Sequence, residues 1–183
     1  MLLVLIGYRG TGKSTVAKRL ASRLGWDWAD VDVEIEQAAG KSIAAIFDED
    51  GETTFRDLES QQLTRLAKGG SLVLAAGGGI VLRPENREAL KRISRNGGQV
   101  IWLQALPETI QQRMSADRVT ASRRPNLTAS GGLGEIVELL QQRAPRYKEC
   151  ATLAVDTEGK DPGQVAAEIL DRLQLLPETA DKA

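Results

Sequence analysis

Histidine is absent from the 183 residues of this chain. Its absence excludes a histidine general base, histidine-ligated metal sites and the Ser-His-Asp arrangement of nucleophilic catalysis. If the chain moves a proton, a carboxylate is the natural acceptor. Cysteine occurs once, at Cys150, so no internal disulfide can form. A single cysteine is typical of proteins in a reducing compartment, and we expect this protein to be cytoplasmic.

Aromatic residues and long apolar runs are also scarce. Aromatic residues make up 4% of the chain and hydrophobic residues 42%, so the core must be mainly aliphatic. The formal net charge of −1 argues against a general nucleic-acid-binding protein. The apolar run at Leu2–Ile6 is too short for a signal peptide, and no stretch approaches the roughly 20 residues of a membrane helix. We expect a monomer with neither a nucleic-acid nor a membrane partner.

Apolar runs alternate with helical periods along the chain. The runs predict strands at residues 2–6, 26–31, 71–76, 99–103 and 152–155. Helical spacing predicts a helix that ends at Gly25 and further helices at residues 35–48 (with a break near Gly40), 52–68, 84–95, 107–114, 134–148 and 162–175. This alternation predicts an α/β fold, with a five-stranded parallel sheet flanked by helices on both faces. Residues 1–176 are expected to form one domain, and residues 177–183 a flexible tail.

One connection is long for a compact domain. Residues 115–133 have no clear period and are rich in Ser, Thr, Gly and Arg. Connections of this kind are commonly lids, binding loops or disordered segments. We predict a lid loop here, with a disordered insertion as the alternative.

The pattern Gly-x-x-x-x-Gly-Lys-Ser at residues 7–14 follows the first predicted strand and precedes a predicted helix. Glycines allow the backbone to wrap phosphate oxygens closely, and the helix N-terminus adds a positive dipole end. Lys13 would supply a cation to the β- and γ-phosphates and should be exposed, while Ser14 would offer its hydroxyl to Mg²⁺. The pattern therefore predicts binding of a nucleoside triphosphate with Mg²⁺, but it does not identify the acceptor.

Two aspartates follow the second predicted strand. Asp30 and Asp32 are two residues apart, so on an extended segment they would point the same way. Ligands of parallel α/β sheets sit beyond the carboxyl ends of the strands. The two carboxylates could hold a hydrated Mg²⁺ and orient an acceptor hydroxyl; the alternative is a pair of helix-capping aspartates.

Two further stretches are ambiguous when taken alone. In "FRDLE", Arg56 and Glu59 are three residues apart on a predicted helix and could be a surface pair, or an arginine that binds a substrate carboxylate and is steered by the glutamate. In "AAGGGIV", three glycines end a buried strand. They allow a ligand to approach bare backbone, although a tight turn explains them equally well.

Taken together, these stretches resemble the shikimate kinases. The resemblance covers nearly the whole chain and is carried, in the family's order and approximate spacing, by "LIGYRGTGKST", "DVDVEIE", "SIAAIFDEDGETTFRDLE", "AAGGGIV", "RRPNL", "QQRAPRYKECA" and "VDTEGKDP". It implies a P-loop nucleoside-triphosphatase fold of the nucleoside monophosphate kinase type. It also implies phosphoryl transfer from MgATP to the 3-hydroxyl of shikimate.

The resemblance also implies site residues, position by position. ATP would be bound by Gly10, Thr11, Gly12, Lys13, Ser14, Thr15, Arg113 and Arg124. Shikimate would be bound by Asp32, Phe47, Phe55, Arg56, Glu59, Gly78, Gly79 and Arg143. Ser14 and, through water, Asp30 would hold Mg²⁺. The catalytic residues would be Lys13, Asp32 as the candidate base, and Arg124 as a lid cation at the transferring phosphoryl group.

The chain departs from the family's pattern at two places. The segment between Arg113 and Arg124 is a few residues longer than in compact members, so Arg118 or Arg123 could share the role given to Arg124. The segment "VDTEGKDP" lacks the arginine often found there, and Lys160 is the nearest cation.

Two other functions remain open on the sequence. A kinase for another small metabolite, such as gluconate or a nucleoside monophosphate, would share the phosphate-binding pattern; for an acceptor without a carboxylate, Arg56 and Arg143 would be unexplained. A non-enzymatic GTP-binding switch would fit "DEDG" at residues 48–51, but the guanine-reading pattern Asn-Lys-x-Asp is absent from the chain.

Overall fold

A computed structural model describes residues 1–116 and 132–175. The described strands are β1 (Leu2–Ile6), β2 (Asp27–Asp30), β3 (Leu72–Ala75), β4 (Gln99–Gln104) and β5 (Leu153–Asp156). They form one sheet in the order β2-β3-β1-β4-β5, and every neighbouring pair is parallel. The predicted five-stranded parallel sheet is confirmed, with the most apolar run of the chain, β1, at its centre.

Helices cover both faces of the sheet, as predicted. The described helices are α1 (Lys13–Leu24), α2 (Val31–Ala39), α3 (Ile43–Glu49), α4 (Gly51–Leu66), α5 (Pro84–Arg95), α6 (Pro107–Ala116), α7 (Gly132–Cys150) and α8 (Pro162–Arg172). Because side chains alternate along a strand, Leu3 and Leu5 of β1 belong to the core beneath α1 and α8. Val4 and Ile6 belong to the opposite core, beneath α2–α5 and α7.

Several element boundaries differ from the prediction. The predicted strand at 26–31 ends at Asp30, and α2 begins at Val31, so Asp32 is helical rather than extended. The predicted break near Gly40 is confirmed, since this residue ends α2 with a φ of 68°. Helix α6 runs to Ala116 and α7 begins at Gly132, so both ends of the predicted lid at 115–133 are helical. The rest of that segment and the predicted tail at 177–183 lie outside the described residues.

A small third cluster joins the turn after β1 to two helices. Tyr8 packs with Ile110 of α6 and with Ile136 and Leu139 of α7, and all four are nearly inaccessible to solvent. This cluster fixes α6 and α7 close to the carboxyl edge of the sheet, where the loops after β1, β2 and β3 meet. In the two described ranges, no helix combines the length and apolar character needed to cross a membrane.

Candidate active site

The turn between β1 and α1, with the first two residues of the helix, forms the phosphate loop (residues 7–14). Gly10 and Gly12 have φ angles of 80° and 89°, a region that L side chains rarely adopt. Gly12 is also the N-cap of α1 and offers no side-chain cap, and the first turn of the helix contains no acidic residue. The amide groups at this helix end are therefore in the arrangement that binds anions at helix N-termini.

Lys13 is folded back onto the loop that carries it. Its Nζ donates to the carbonyl of Gly7 at 3.0 Å and to that of Tyr8 at 2.8 Å. The residue is only 9% exposed, so the expectation of an exposed lysine was wrong. The physical reason is that a partly buried ammonium needs acceptors, and the carbonyls of the wrapped loop supply them.

Asp30 connects the phosphate loop with α2. The Ser14 hydroxyl donates to one of its carboxylate oxygens, and the amide of Asp32 donates to the other at 3.0 Å. Burial is the main cause that raises the pKa of the Asp30 carboxyl above its ordinary value, and the negative charge of Asp32 is the second. The two hydrogen bonds and the charge of Lys13 lower this pKa and offset part of the rise. The helix-capping alternative and the ligand-site prediction are therefore compatible, because one carboxylate caps α2 and contacts Ser14.

The donor set around Asp30 suits Mg²⁺. Ser14, Asp30 and Asp32 line the same cavity and present only oxygen atoms, which Mg²⁺ prefers. Nowhere in residues 1–116 and 132–175 do three carboxylate, histidine or cysteine side chains group together for a metal. That pattern agrees with the habit of Mg²⁺ to take one or two protein ligands and complete its shell with water and phosphate oxygens.

A cavity of about 410 Å³ runs from the two aspartates along the phosphate loop to α6 and α8. Its lining includes the predicted ATP-binding residues 10–15 and Arg113. At the far end, Arg113 donates to the hydroxyl of Thr157 at 2.9 Å and to its carbonyl at 3.0 Å. Lys160 also lines this end and pairs with Glu168 at 2.7 Å. The prediction that Arg113 binds ATP is compatible with this geometry.

Arg56 of α4 is buried and paired with two glutamates of the same helix. Its Nη1 donates to Glu59 at 2.8 Å and its Nη2 to Glu52 at 3.1 Å, and the arginine and Glu59 side chains are 8% and 0% exposed. A methyl group added to Gly79 would lie 2.1 Å from Nη1 of Arg56, so the guanidinium rests against bare backbone. The pair on "FRDLE" is therefore buried, which contradicts the surface-pair interpretation.

One aromatic ring, Phe55, contacts this arginine, and a second, Phe47, packs against Phe55. The centroids of Phe47 and Phe55 are 4.8 Å apart, and the guanidinium carbon of Arg56 lies 5.0 Å from the Phe55 centroid. Phe55 is fully buried, whereas Phe47 is half-buried. Phe47 is therefore the ring of this pair that retains surface for a ligand.

Arg143 of α7 contacts Gly78, the neighbour of the Gly79 against which Arg56 rests. Its Nη1 donates to the Gly78 carbonyl at 3.3 Å, and the Tyr147 hydroxyl donates to that same carbonyl. Arg143 is 6% exposed, and its Nε has no partner among the described residues. Arg56 and Arg143 are thus brought together at residues 78–79, although 87 positions separate them in the sequence.

Several residues at the site were not predicted. Tyr8, Arg9, Glu135, Tyr147 and Thr157 all contact the predicted residues or each other. Tyr8 and Arg9 occupy variable positions of the phosphate pattern, which carries no information about side chains there. Arg118, Arg123 and Arg124 lie outside the described residues, so their assignments stay predictions from the sequence.

The family model and the curated relatives described here agree on one family. A family model described as shikimate kinase matches residues 9–174. The shikimate kinase of Rhodopirellula baltica is 40% identical over 168 residues, covering 92% of this chain and 88% of the relative. That of Symbiobacterium thermophilum is 41% identical over 174 residues, covering 95% and 97%. The solved shikimate kinase from Acinetobacter baumannii, in complex with shikimate, superimposes with a TM-score of 0.86 at 34% identity and covers 95% of this chain and 93% of its own.

Proposed function

The chain belongs to the shikimate kinase family, and on that premise we propose that it transfers the γ-phosphoryl group of ATP to the 3-hydroxyl of shikimate, giving shikimate 3-phosphate and ADP. The observation that carries the proposal is the convergence of Arg56 and Arg143 on residues 78–79, beside the phosphate loop. Two arginines at one turn suit a carboxylate, and shikimate carries one. The A. baumannii relative was solved with shikimate bound.

The nucleotide would lie along the cavity. Backbone amides of residues 10–15 would hold the phosphates, and Arg113 and Thr157 would lie beside the adenine of ATP. Lys13 would exchange its bonds to two loop carbonyls for bonds to phosphate oxygens, which bear a full negative charge and attract the ammonium more strongly.

Ser14 and Asp30 would hold Mg²⁺, the aspartate through water. The ion, when bound, neutralises phosphate charge and orients the γ-phosphoryl group. Ser14 already contacts Asp30, so the hydroxyl and the carboxylate need little rearrangement to face one cation. The raised pKa of Asp30 reflects the burial of its negative charge and the nearby charge of Asp32, both of which a cation would offset.

The acceptor would be held at its carboxylate by two arginines and at its reacting hydroxyl by Asp32. Arg56, steered by Glu59, and Arg143 would bind its carboxylate, and Phe47 and Phe55 would form a wall of the pocket. Asp32 would accept the proton of the reacting hydroxyl, as expected for a chain without histidine. Phosphoryl transfer mainly requires alignment and cations at the γ-phosphate, and Lys13 and the predicted Arg124 would supply the protein's share.

A coupled assay for ADP release tests the proposal. Shikimate, quinate and gluconate are compared as acceptors at saturating MgATP, with ATP replaced by GTP in a parallel series. We expect turnover with shikimate well above that with the other two, and little turnover with GTP. Preference for gluconate, or ADP release independent of any acceptor, would overturn the proposal. We further propose a cytoplasmic monomer, and light scattering coupled to size-exclusion chromatography tests the oligomeric state.

A further inference from the structure

Arg9 and Glu135 form an ion pair that has no part in the mechanism above. Arg9 belongs to the phosphate loop, Glu135 belongs to the first turn of α7, and 126 positions separate them. Nη2 of Arg9 donates to Oε1 of Glu135 at 2.6 Å, and the two side chains are 12% and 1% exposed. The pair therefore joins the phosphate loop to α7 inside the molecule.

The neighbouring Tyr8 contacts both ends of the proposed active site. The guanidinium carbons of Arg9 and Arg143 each lie 5.8 Å from the centroid of its ring. Its ring packs with α7 residues in the small apolar cluster, and its backbone carbonyl accepts the 2.8 Å bond from Lys13. A displacement of Tyr8 would therefore change the positions of both Lys13, which is proposed to bind phosphate, and Arg143, which is proposed to bind the carboxylate.

We propose that Arg9 and Glu135 are positioning residues, which hold α7, and with it Arg143, in a fixed position relative to the phosphate loop. The acceptor would then be aligned with the γ-phosphate because the helix that binds its carboxylate is tied to the loop that binds the donor. This inference rests on the proposed shikimate kinase activity. A buried ion pair gains little net stability, because its desolvation largely offsets its attraction. Its main effect is therefore expected on geometry, to which phosphoryl transfer is sensitive.

A direct role in phosphate binding is the competing explanation for Arg9. This arginine lines the cavity next to Gly10, so its guanidinium could turn from Glu135 toward a phosphate. In that case Glu135 competes with the nucleotide for Arg9. Removal of the glutamate charge would preserve or improve nucleotide binding, whereas removal of the arginine would weaken it. If the pair only positions α7, removal of the Glu135 charge and removal of Arg9 should have the same effect on the kinetics.

The test compares the variants Arg9→Met and Glu135→Gln with the double variant. Steady-state kinetics with shikimate give kcat and KM, and calorimetry gives the Kd of MgADP. Each single variant is expected to lower kcat/KM for shikimate by about ten- to a hundredfold, with the Kd of MgADP changed less than about threefold. The double variant should be no worse than the poorer single variant, because both changes break one interaction.

Two further variants keep the test valid if a single removal impairs folding. Glu135→Asp and Arg9→Lys keep both charges but shorten or reshape the link, and we expect them to retain the fold while lowering kcat/KM by a smaller factor. The matched control is Glu149→Gln, which breaks an exposed 2.6 Å pair between Lys91 and the other end of α7. This control should have wild-type kinetics.

The outcomes separate the explanations. Weaker MgADP binding in Arg9→Met alone would make Arg9 a phosphate ligand and overturn the inference. Wild-type kinetics in all folded Arg9 and Glu135 variants would also overturn it, as would equal losses in Glu149→Gln. A wild-type protein that releases no ADP with shikimate would remove the proposed function, and this inference with it.

Discussion

Gly79→Ala is the substitution whose effect follows most directly from the site geometry. The added methyl carbon would lie 2.1 Å from Nη1 of Arg56 and 2.6 Å from its guanidinium carbon. To reach a normal separation of about 3.5 Å, the nitrogen nearest the methyl group must retreat by roughly 1.4 Å. The obstructing atoms are the end of a side chain rather than backbone, and Gly79 has an ordinary φ, so we expect the fold to persist.

The cost should fall on acceptor binding. Arg56 Nη1 donates to the buried Glu59 at 2.8 Å, and a retreat of this size breaks or bends that bond and moves the guanidinium away from its proposed carboxylate partner. A charge-assisted hydrogen bond of a buried group contributes about 1.5–3 kcal/mol. One such bond corresponds to roughly a ten- to hundredfold increase in KM for shikimate.

Steady-state kinetics at saturating MgATP, with shikimate varied, measure this increase, and calorimetry with MgADP measures the nucleotide site separately. The nucleotide Kd should change less than about threefold, because the phosphate loop is untouched. Gly70→Ala is the matched control, since a methyl group there meets nothing within 4 Å. An unchanged KM for shikimate in Gly79→Ala would refute the placement of the acceptor carboxylate at Arg56.

Five other substitutions have expected outcomes. Lys13→Ala should lower kcat by about 10²–10³-fold, because the cation proposed to act at the transferring phosphoryl group is lost. Asp32→Asn should lower kcat by about 10²–10⁴-fold while ATP binding changes little, because shape is kept and the proposed base is lost. Arg56→Lys and Arg143→Lys should each raise KM for shikimate, and the double variant should be less than additive because both arginines are proposed to bind one anion. Tyr147→Phe should raise KM for shikimate by a few-fold, because Gly78 loses a hydrogen bond that fixes its carbonyl.

Each of these outcomes has a contrary result. Wild-type turnover and ATP affinity in Lys13→Ala would remove the phosphate-loop assignment. If kcat of Asp32→Asn falls by less than about threefold, Asp32 has a structural role and Asp30 should be tested as the base instead. Full additivity of the Arg56 and Arg143 variants would mean that the two arginines do not bind the same anion. A Tyr147→Phe enzyme that loses ATP binding instead would place the effect in the phosphate loop.

Features encoded within one short stretch were predictable from the sequence. The apolar run of β1 and the glycine pattern after it require no distant partner, and their structure agrees with expectation. The local turn at Gly40 is a similar case. The start of α2 was missed because Asp30 and Asp32 also fit an extended segment. Val31 and Ile35, four residues apart and both fully buried, carry the helical period that would have shown it.

Contacts between distant stretches were not predictable in the same way. The bond from Tyr147 to Gly78 spans 69 positions and that from Arg113 to Thr157 spans 44. Both depend on the order β2-β3-β1-β4-β5, which hydrophobic periodicity does not determine. The pairing of Arg9 with Glu135 depends in addition on where α7 begins, and that point lay inside the segment predicted as a lid.

The turn after β3 explains how the two halves of the site are kept in register. A methyl group on Gly78 would lie 3.2 Å from the amide nitrogen of Arg9, so the phosphate loop packs directly on this backbone. Arg56 rests against Gly79, and Arg143 bonds the Gly78 carbonyl. The donor loop and both arginines proposed for the acceptor therefore share two adjacent glycines. This shared backbone limits their separation, in addition to the proposed link between Arg9 and Glu135, and such preorganisation is what an in-line transfer requires.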